Sequence, residues 1–199
     1  NIPMETPEQA KTARESQMNQ WRSNVSDAAS DLQALLSDLK ASDAQSASDY
    51  RRKAKETGGK AGIPEETPLD ILVRLWGLVF PSRELDLGAY TPRARWTGGG
   101  RSTDYYTTAA MSDGERSAFY HIARLLQAKP GVVVIDEPEL HFHPMLARRF
   151  WDLVEAQRDD CRFIYITHDL NFALSRRGQV GIVRGPRDVE LLDKGSQIP

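Results

Sequence analysis

Asp136 and Glu137 are adjacent acids at the end of an apolar run, in GVVVIDEPELHFHP, Gly131 to Pro144. Burying two neighbouring carboxylates at the mouth of a hydrophobic strand is costly unless something pairs with them. A magnesium-nucleotide complex is one such partner. The first acid, Asp136, can hold Mg²⁺ through its water shell, because that ion keeps several waters and takes few protein carboxylates. The second, Glu137, sits where it can orient or deprotonate an attacking water. A lone Asp-Glu after an apolar run is more often a strand end emerging into solvent, so other residues must decide. His168, in FIYITHDL (Phe163 to Leu170), leaves a second apolar run in the same way. An imidazole there can donate to a phosphate oxygen or position the water, although an isolated histidine is more often structural.

A third cluster lies upstream, in AAMSDGERSAFYHIARLL, Ala109 to Leu126. Ser112-Asp113-Gly114-Glu115 has the spacing of a capping box, S-x-x-E. That is a structural role in itself. It also leaves a helix N-terminus with free backbone N–H groups, a hydroxyl and a glycine that permits close approach, which suits an anion. Asp113 opposes an unassisted phosphate, so a neighbouring cation is needed. His141 and His143 form an H-x-H before Pro144. On an extended segment their side chains point to opposite sides, and no Cys or His cluster completes a zinc-type set.

These groups need elements to position them. A helix is expected from Ser112 to about Ala128, a strand at Val132 to Ile135 and a helix from Pro144 to Gln157. A second strand at Arg162 to Thr167 precedes a short helix, Asn171 to Ser175. Further strands are expected at Val180 to Val183 and Val189 to Leu192. Alternating helices and apolar strands indicate an α/β fold with a mainly parallel sheet. In such sheets ligands sit beyond the carboxyl ends of the strands, where Asp136-Glu137 and His168-Asp169 both fall. Upstream, Leu69 to Phe80 reads as a buried helix stopped by Pro81. Short strands are expected from Glu84 to Thr108, with Gly98-Gly99-Gly100 in or beside a hairpin turn.

Residues 7 to 40 read as one long helix. Met18, Val25, Leu32 and Leu39 recur every seven residues, with Trp21, Ala28 and Leu35 between them. This seam of about three heptads suits a helix lying along another helix. It describes either an arm that meets a partner or a helix packed on its own domain. Residues 41 to 68 are small and polar, with several Gly and Pro, and read as a linker or frayed second helix. The expected organisation is a helical arm and linker over 1–68, then the functional domain over 69–199.

Composition sets outer limits. With 40% hydrophobic and 27% charged residues in 199, a packed core is feasible. A formal net charge of −2 makes no global case for nucleic acid or an anionic membrane. Basic clusters are local, at Arg51-Arg52-Lys53 with Lys55, and at Arg93, Arg95 and Arg101. Clusters of this kind are usually solvated surface, but they leave DNA as a candidate partner. The one cysteine, Cys161, rules out an intrachain disulfide and fits a reducing, cytoplasmic location. No apolar run reaches the roughly 18 residues of a membrane span, so no membrane partner is expected.

Taken in order, the three clusters resemble an ABC-type ATPase head, a P-loop NTPase fold. MSDGE, Met111 to Glu115, looks like the signature motif, and VVVIDE, Val132 to Glu137, like Walker B with its catalytic glutamate. PELHFHP, Pro138 to Pro144, sits where the D-loop belongs, and ITHD, Ile166 to Asp169, looks like the switch-histidine loop. The S-D-G-E form and the E-L-H-F-H-P continuation are most similar to soluble OLD-like ATPases (overcoming lysogenization defect), distant relatives of SMC and DNA-repair ATPases. The resemblance spans Ala109 to Ser175. It implies ATP and Mg²⁺ as cofactors, with Asp136 on the metal, Glu137 on the water and His168 on the γ-phosphate. Ser112, Asp113, Gly114 and Glu115 would face a partner's nucleotide in a head-to-tail homodimer. It further implies an effector, such as a nuclease.

The phosphate cradle G-x-x-x-x-G-K-[ST] does not occur in the sequence. The nearest string, Ala54 to Ala61, has alanine at both defining ends and follows a polar stretch rather than a strand. The chain opens Asn1-Ile2-Pro3, with no initiator methionine. The expectation is therefore the C-terminal part of an ATPase head, its Walker A portion removed, cleaved, disordered or on another chain. Such a piece is expected to be inactive alone. The competing expectation is a non-catalytic module that docks a protein or DNA through the helical arm and basic patches.

Overall fold

The computed structural model describes residues 7–59, 62–88, 91–98, 104–186 and 188–192, with side chains from Asp31 onward. It divides into two compact units, Asn1–Ala128 and Lys129–Pro199.

In the first unit, α1 runs from Pro7 to Glu56. The helix thus continues without a break through much of the stretch expected to be a linker or frayed second helix. The reason is chemical: no Gly or Pro falls between Pro7 and Thr57, and Ala, Gln, Arg and Lys are good helix formers. Adding a residue to an existing helix needs no new nucleus, so a polar extension persists. It ends where Gly58 and Gly59 take left-handed backbones, φ 60° and 87°, and the Gly59 N–H closes on Ala54 O at 2.8 Å.

The described part of the α1 seam is spent inside the unit. Leu32, Leu35, Leu36 and Leu39 are buried, and α1 packs on both α2 (Pro68–Val79) and α3 (Asp113–Gln127). Met18, Trp21, Val25 and Ala28 lie outside the described side chains. Helix α2 starts at a Thr67–Asp70 capping box with Pro68 in its first turn. Its apolar face, Leu72, Leu75, Trp76 and Val79, meets Phe119 and Ile122 of α3 in the buried set.

Three short strands form an antiparallel sheet: β1 (Arg83–Asp86), β2 (Arg93–Trp96) and β3 (Tyr106–Thr107). Glu84 stands opposite Arg95 and Asp86 opposite Arg93, and both pairs close as ion pairs. The Gly98 to Gly100 turn falls largely outside the described residues. A single 3₁₀ turn, Thr108–Ala110, leads into α3.

The second unit is built on β4 (Gly131–Asp136) and β5 (Cys161–Ile166), paired in parallel from Gly131 opposite Cys161 to Asp136 opposite Ile166. Helix α4 (Pro144–Gln157) connects them and α5 (Leu170–Ser175) follows. Parallel pairing is confined to these two strands among the described residues. The last strands, β6 (Val180–Gly185) and β7 (Asp188–Leu192), form an antiparallel hairpin of their own. The β4–β5 sheet is covered on one face. Phe150, Trp151 and Val154 of α4 are buried with Ile135 and Phe172, while Val132, Val134, Ile164 and Ile166 are more than half exposed.

Candidate functional site

The parallel register brings the carboxyl ends of β4 and β5 level, so the chain leaves both strands at one edge. Glu137 N–H extends the ladder by one bond, to Ile166 O at 2.8 Å. The backbone then reverses at once. Glu137 has φ 48°, a left-handed conformation that a residue with a Cβ adopts only when its surroundings enforce it. Several contacts do so. Leu140 N–H bonds to Glu137 O at 2.9 Å and Phe142 N–H to Glu139 O at 3.0 Å. The indole of Trp151 donates to Pro138 O at 2.7 Å, and Phe142 stacks on Phe150 with centroids 4.9 Å apart. The aromatic face of α4 therefore fixes the turn that carries the acids.

Asp136 is exposed, and its carboxylate makes no hydrogen bond among the described residues. Glu137 is one third exposed and its Oε1 lies 3.5 Å from His168 Nε2. His168 is itself 95% exposed, so its ring is free to meet a ligand. Partial burial, then the hydrogen bond and negative charge of Glu139, hold the Glu137 carboxyl above the ordinary glutamate range. His168 pulls the other way, and Asp136 adds to the rise.

Two residues at this edge were not singled out in the sequence. Thr167 Oγ1 donates to Glu139 Oε1 and accepts from Asp169 N–H at 2.9 Å. Asp169 in turn caps α5, accepting from Asn171 N–H at 2.8 Å and Phe172 N–H at 3.2 Å. The only sequence signals were an extra acid three residues after Asp136 and a hydroxyl next to His168. His141 and His143 are exposed on the turn. His143 precedes α4 without capping it through its side chain, and His141 has φ 70°.

The signature-like segment belongs to the first unit. Ser112 caps α3 in a complete capping box: its N–H and its hydroxyl each bond Glu115 Oε2 at 2.8 Å, and Glu115 N–H returns to Ser112 Oγ at 3.3 Å. Glu115 is buried. Its other oxygen accepts from the Tyr106 hydroxyl at 2.5 Å and lies 3.1 Å from Arg83 Nε. Arg83 is sandwiched against Trp96, 4.3 Å from the ring centre, and Phe80 at 5.4 Å. Glu115 is therefore committed to structure, which Glu115 as a ligand-facing residue would not predict. Asp113 is exposed and Gly114 half-buried in the first turn of α3. Arg116 pairs with Asp113 and donates to Met111 O at 2.8 Å. It places a cation beside Asp113, and its i,i+3 spacing was the available clue. Of the basic residues, Arg93 and Arg95 are tied to Asp86 and Glu84, and both stack on Tyr105, at 4.9 and 5.0 Å. Arg101 lies outside the described residues.

The sequence matches the family model described as AAA domain, putative AbiEii toxin, Type IV TA system, over residues 18–175. The chain belongs to this family. The match takes in the signature-like turn, both strand ends and most of α1. An OLD nuclease from Thermus scotoductus is 41% identical over 68 residues, 33% of this chain and 13% of that protein. The chain thus spans a small part of that relative. Two solved structures are also similar. One, from work on ATP-driven dimerization and DNA-stimulated activation of SMC ATPases, is 17% identical with TM-score 0.45, covering 61% of this chain and 79% of that one. The other is the Smc head domain with coiled coil and joint from Pyrococcus yayanosii, 18% identical with TM-score 0.46, covering 63% and 26%. The AAA-family membership and the OLD identity agree with the OLD-like resemblance read from the motifs. No helix among the described residues is long and apolar enough to cross a membrane.

Proposed function

We propose that this chain carries the hydrolytic half of an ATP-dependent switch of OLD/SMC type. The observation that supports it best is the meeting of Glu137 and His168, 3.5 Å apart, at the carboxyl edge of a parallel strand pair. The exposed Asp136, with no competing hydrogen bond, fits an ion that takes one or two carboxylates and keeps its waters. Mg²⁺ with ATP would supply charge neutralisation at the phosphates and a polarised phosphoryl group. Asp136 holds the ion's water shell. Glu137 orients and accepts a proton from the attacking water, and its raised affinity for protons suits that task. His168 donates to the γ-phosphate.

Gly114, at the start of α3 behind the Ser112 cap, offers its backbone N–H to the nucleotide of a partner head, while the Ser112 N–H is taken by Glu115. The Ser112 hydroxyl is already engaged with Glu115, so its part is to hold the turn whose amides do the binding. In this reading two copies pair head to tail, ATP joins them, and hydrolysis lets them part. The output is passed to an effector, a nuclease or DNA. The phosphate cradle comes from a further portion of the same protein or from another chain, and the 199 residues alone do not turn over ATP. The bare β4–β5 face is consistent with such a portion, since parallel sheets are normally covered on both sides. The test is Glu137→Gln in the protein that carries the cradle. ATP turnover is expected to fall by about 100-fold or more, with ATP-dependent dimerisation retained in sedimentation. Turnover at the wild-type rate would remove Glu137 from this role.

A further inference from the structure

Three contacts join the turn after β4 to the turn after β5: Glu137 N–H to Ile166 O at 2.8 Å, His168 Nε2 to Glu137 Oε1 at 3.5 Å, and Thr167 Oγ1 to Glu139 Oε1. The first is backbone and would form with almost any sequence. The second is between the reacting groups themselves, and both ends must be free to turn toward a ligand. Only the third is a side-chain contact between groups outside the proposed reacting pair. It links positions 28 apart in sequence. Its atoms are also well fixed. Thr167 Oγ1 is held from the other side by Asp169 N–H, the residue that caps α5. Glu139 follows Pro138, whose carbonyl is pinned by Trp151. Glu139 Oε2 is buried with no donor among the described residues, so the Thr167 hydroxyl donates, at Oε1, to a carboxyl that also lies against that of Glu137.

We infer that Glu139 and Thr167 are a positioning pair: their bond sets the register of the two turns so that Glu137 and His168 face a common point. The inference rests on the ATPase reading for its consequence, but not for its geometry. The contacts with α4 hold the Glu137 turn in its own left-handed fold, and the Glu139–Thr167 bond ties that turn to the one after β5. Without the strap, the first turn loses its register to the second and the Glu137 carboxyl swings relative to the imidazole. Thr167 does not touch the reacting atoms and Glu139 reaches them only through its bond to the Glu137 carboxyl, so the loss falls on turnover rather than on nucleotide affinity.

The test has two arms. In the 199-residue chain, amide hydrogen exchange is followed at Glu137 and, as an internal control, at Phe150 in α4. Thr167→Val keeps the shape and removes the donor. It is expected to speed exchange at Glu137 by about tenfold or more while Phe150 changes by less than about twofold. Thr167→Ser restores the hydroxyl and is expected to return Glu137 to its original protection. Equal acceleration at both amides, or none at either, overturns the inference, because the bond would then serve general stability or nothing. In the protein that carries the phosphate cradle, Thr167→Val is expected to lower kcat by about tenfold with KM for ATP within about twofold, and Thr167→Ser to keep most of the rate. Wild-type kcat in Thr167→Val overturns the pair when Glu137→Gln abolishes turnover in parallel. If Glu137→Gln itself turns over normally, the ATPase reading fails, and the exchange arm still decides the strap.

Discussion

Glu115 shows how far the spacing of one residue reaches and where it stops. Its spacing from Ser112 announced a capping box, and the box is there. The same motif suggested a ligand contact, yet the carboxylate is buried among Ser112, Tyr106 and Arg83. Sequence spacing reports the local bond to Ser112; it carries no record of Tyr106 or Arg83, which arrive from other elements. Removing this carboxylate strands several donors at once, so Glu115→Ala is expected to destabilise the first unit by about 2–4 kcal/mol in urea unfolding. The Tyr106 phenol adds a pH signature. Burial first, then the bond to Glu115 and its charge, push its ionisation well above the usual tyrosine range. Tyr165 in the second unit is raised for the same kinds of reason, burial and its bond to Glu155 at 2.8 Å. A raised phenol contributes stability that is intact below the unfolded-chain pKa of about 10 and is lost as pH rises from there toward the folded value. The urea midpoint is therefore expected to fall between pH 8 and about 11. Tyr106→Phe is expected to be less stable at pH 8 but to lose less across that interval.

At the level of elements, legibility tracked whether an element carries its own boundary signals. Helices α2, α3 and α4 begin at Thr67, Ser112 and Pro144, with a capping box or an N1 proline to mark them, and all three were readable. The second half of α1 was not. Most of its residues are exposed and the half-buried stripe of Asp43, Ala47, Tyr50 and Ala54 is weakly apolar, so no strong apolar period distinguishes a helix from a linker, and chiefly the absence of breakers argued for it. The β6–β7 hairpin was readable as two strands, but not as a separate antiparallel sheet, because pairing partners are set by tertiary packing rather than by strand composition. The turn from Glu137 to His143 was readable as a motif without its support. That support is α4. Trp151 is fully buried and its indole satisfies Pro138 O. Trp151→Phe keeps most of the ring and removes the donor, leaving a buried carbonyl unpaired. The expected cost is about 1–3 kcal/mol in thermal or chemical unfolding. Exchange at the Leu140 amide, bonded to Glu137 O, is expected to rise with it.

Across the whole chain, the acids and imidazole of the second unit are assembled while the sheet that carries them is bare on one side. Val132, Val134, Ile164 and Ile166 are 66, 59, 51 and 53% exposed. Four aliphatic side chains on one face of a parallel pair form an apolar patch of the sort that marks an interface. The sequence showed these strands as largely apolar, which is the pattern of strands covered on both faces; it did not show that one face is open among the described residues. Two consequences follow from a chain that offers Asp136, Glu137 and His168 but has no G-x-x-x-x-G-K-[ST] string. An apolar dye such as ANS is expected to bind the 199-residue chain, and the double change Val134→Thr with Ile164→Thr to reduce its fluorescence by about half or more, since each swap places a hydroxyl in the patch. ATP with Mg²⁺ is expected to give no micromolar binding in calorimetry on the same chain, because a triphosphate held by an ion's water shell and one imidazole lacks the backbone amides and lysine that grip its β- and γ-phosphates. Micromolar affinity in that experiment would mean that the described residues already grip the phosphates, and the division of labour between this chain and a separate cradle would have to be abandoned.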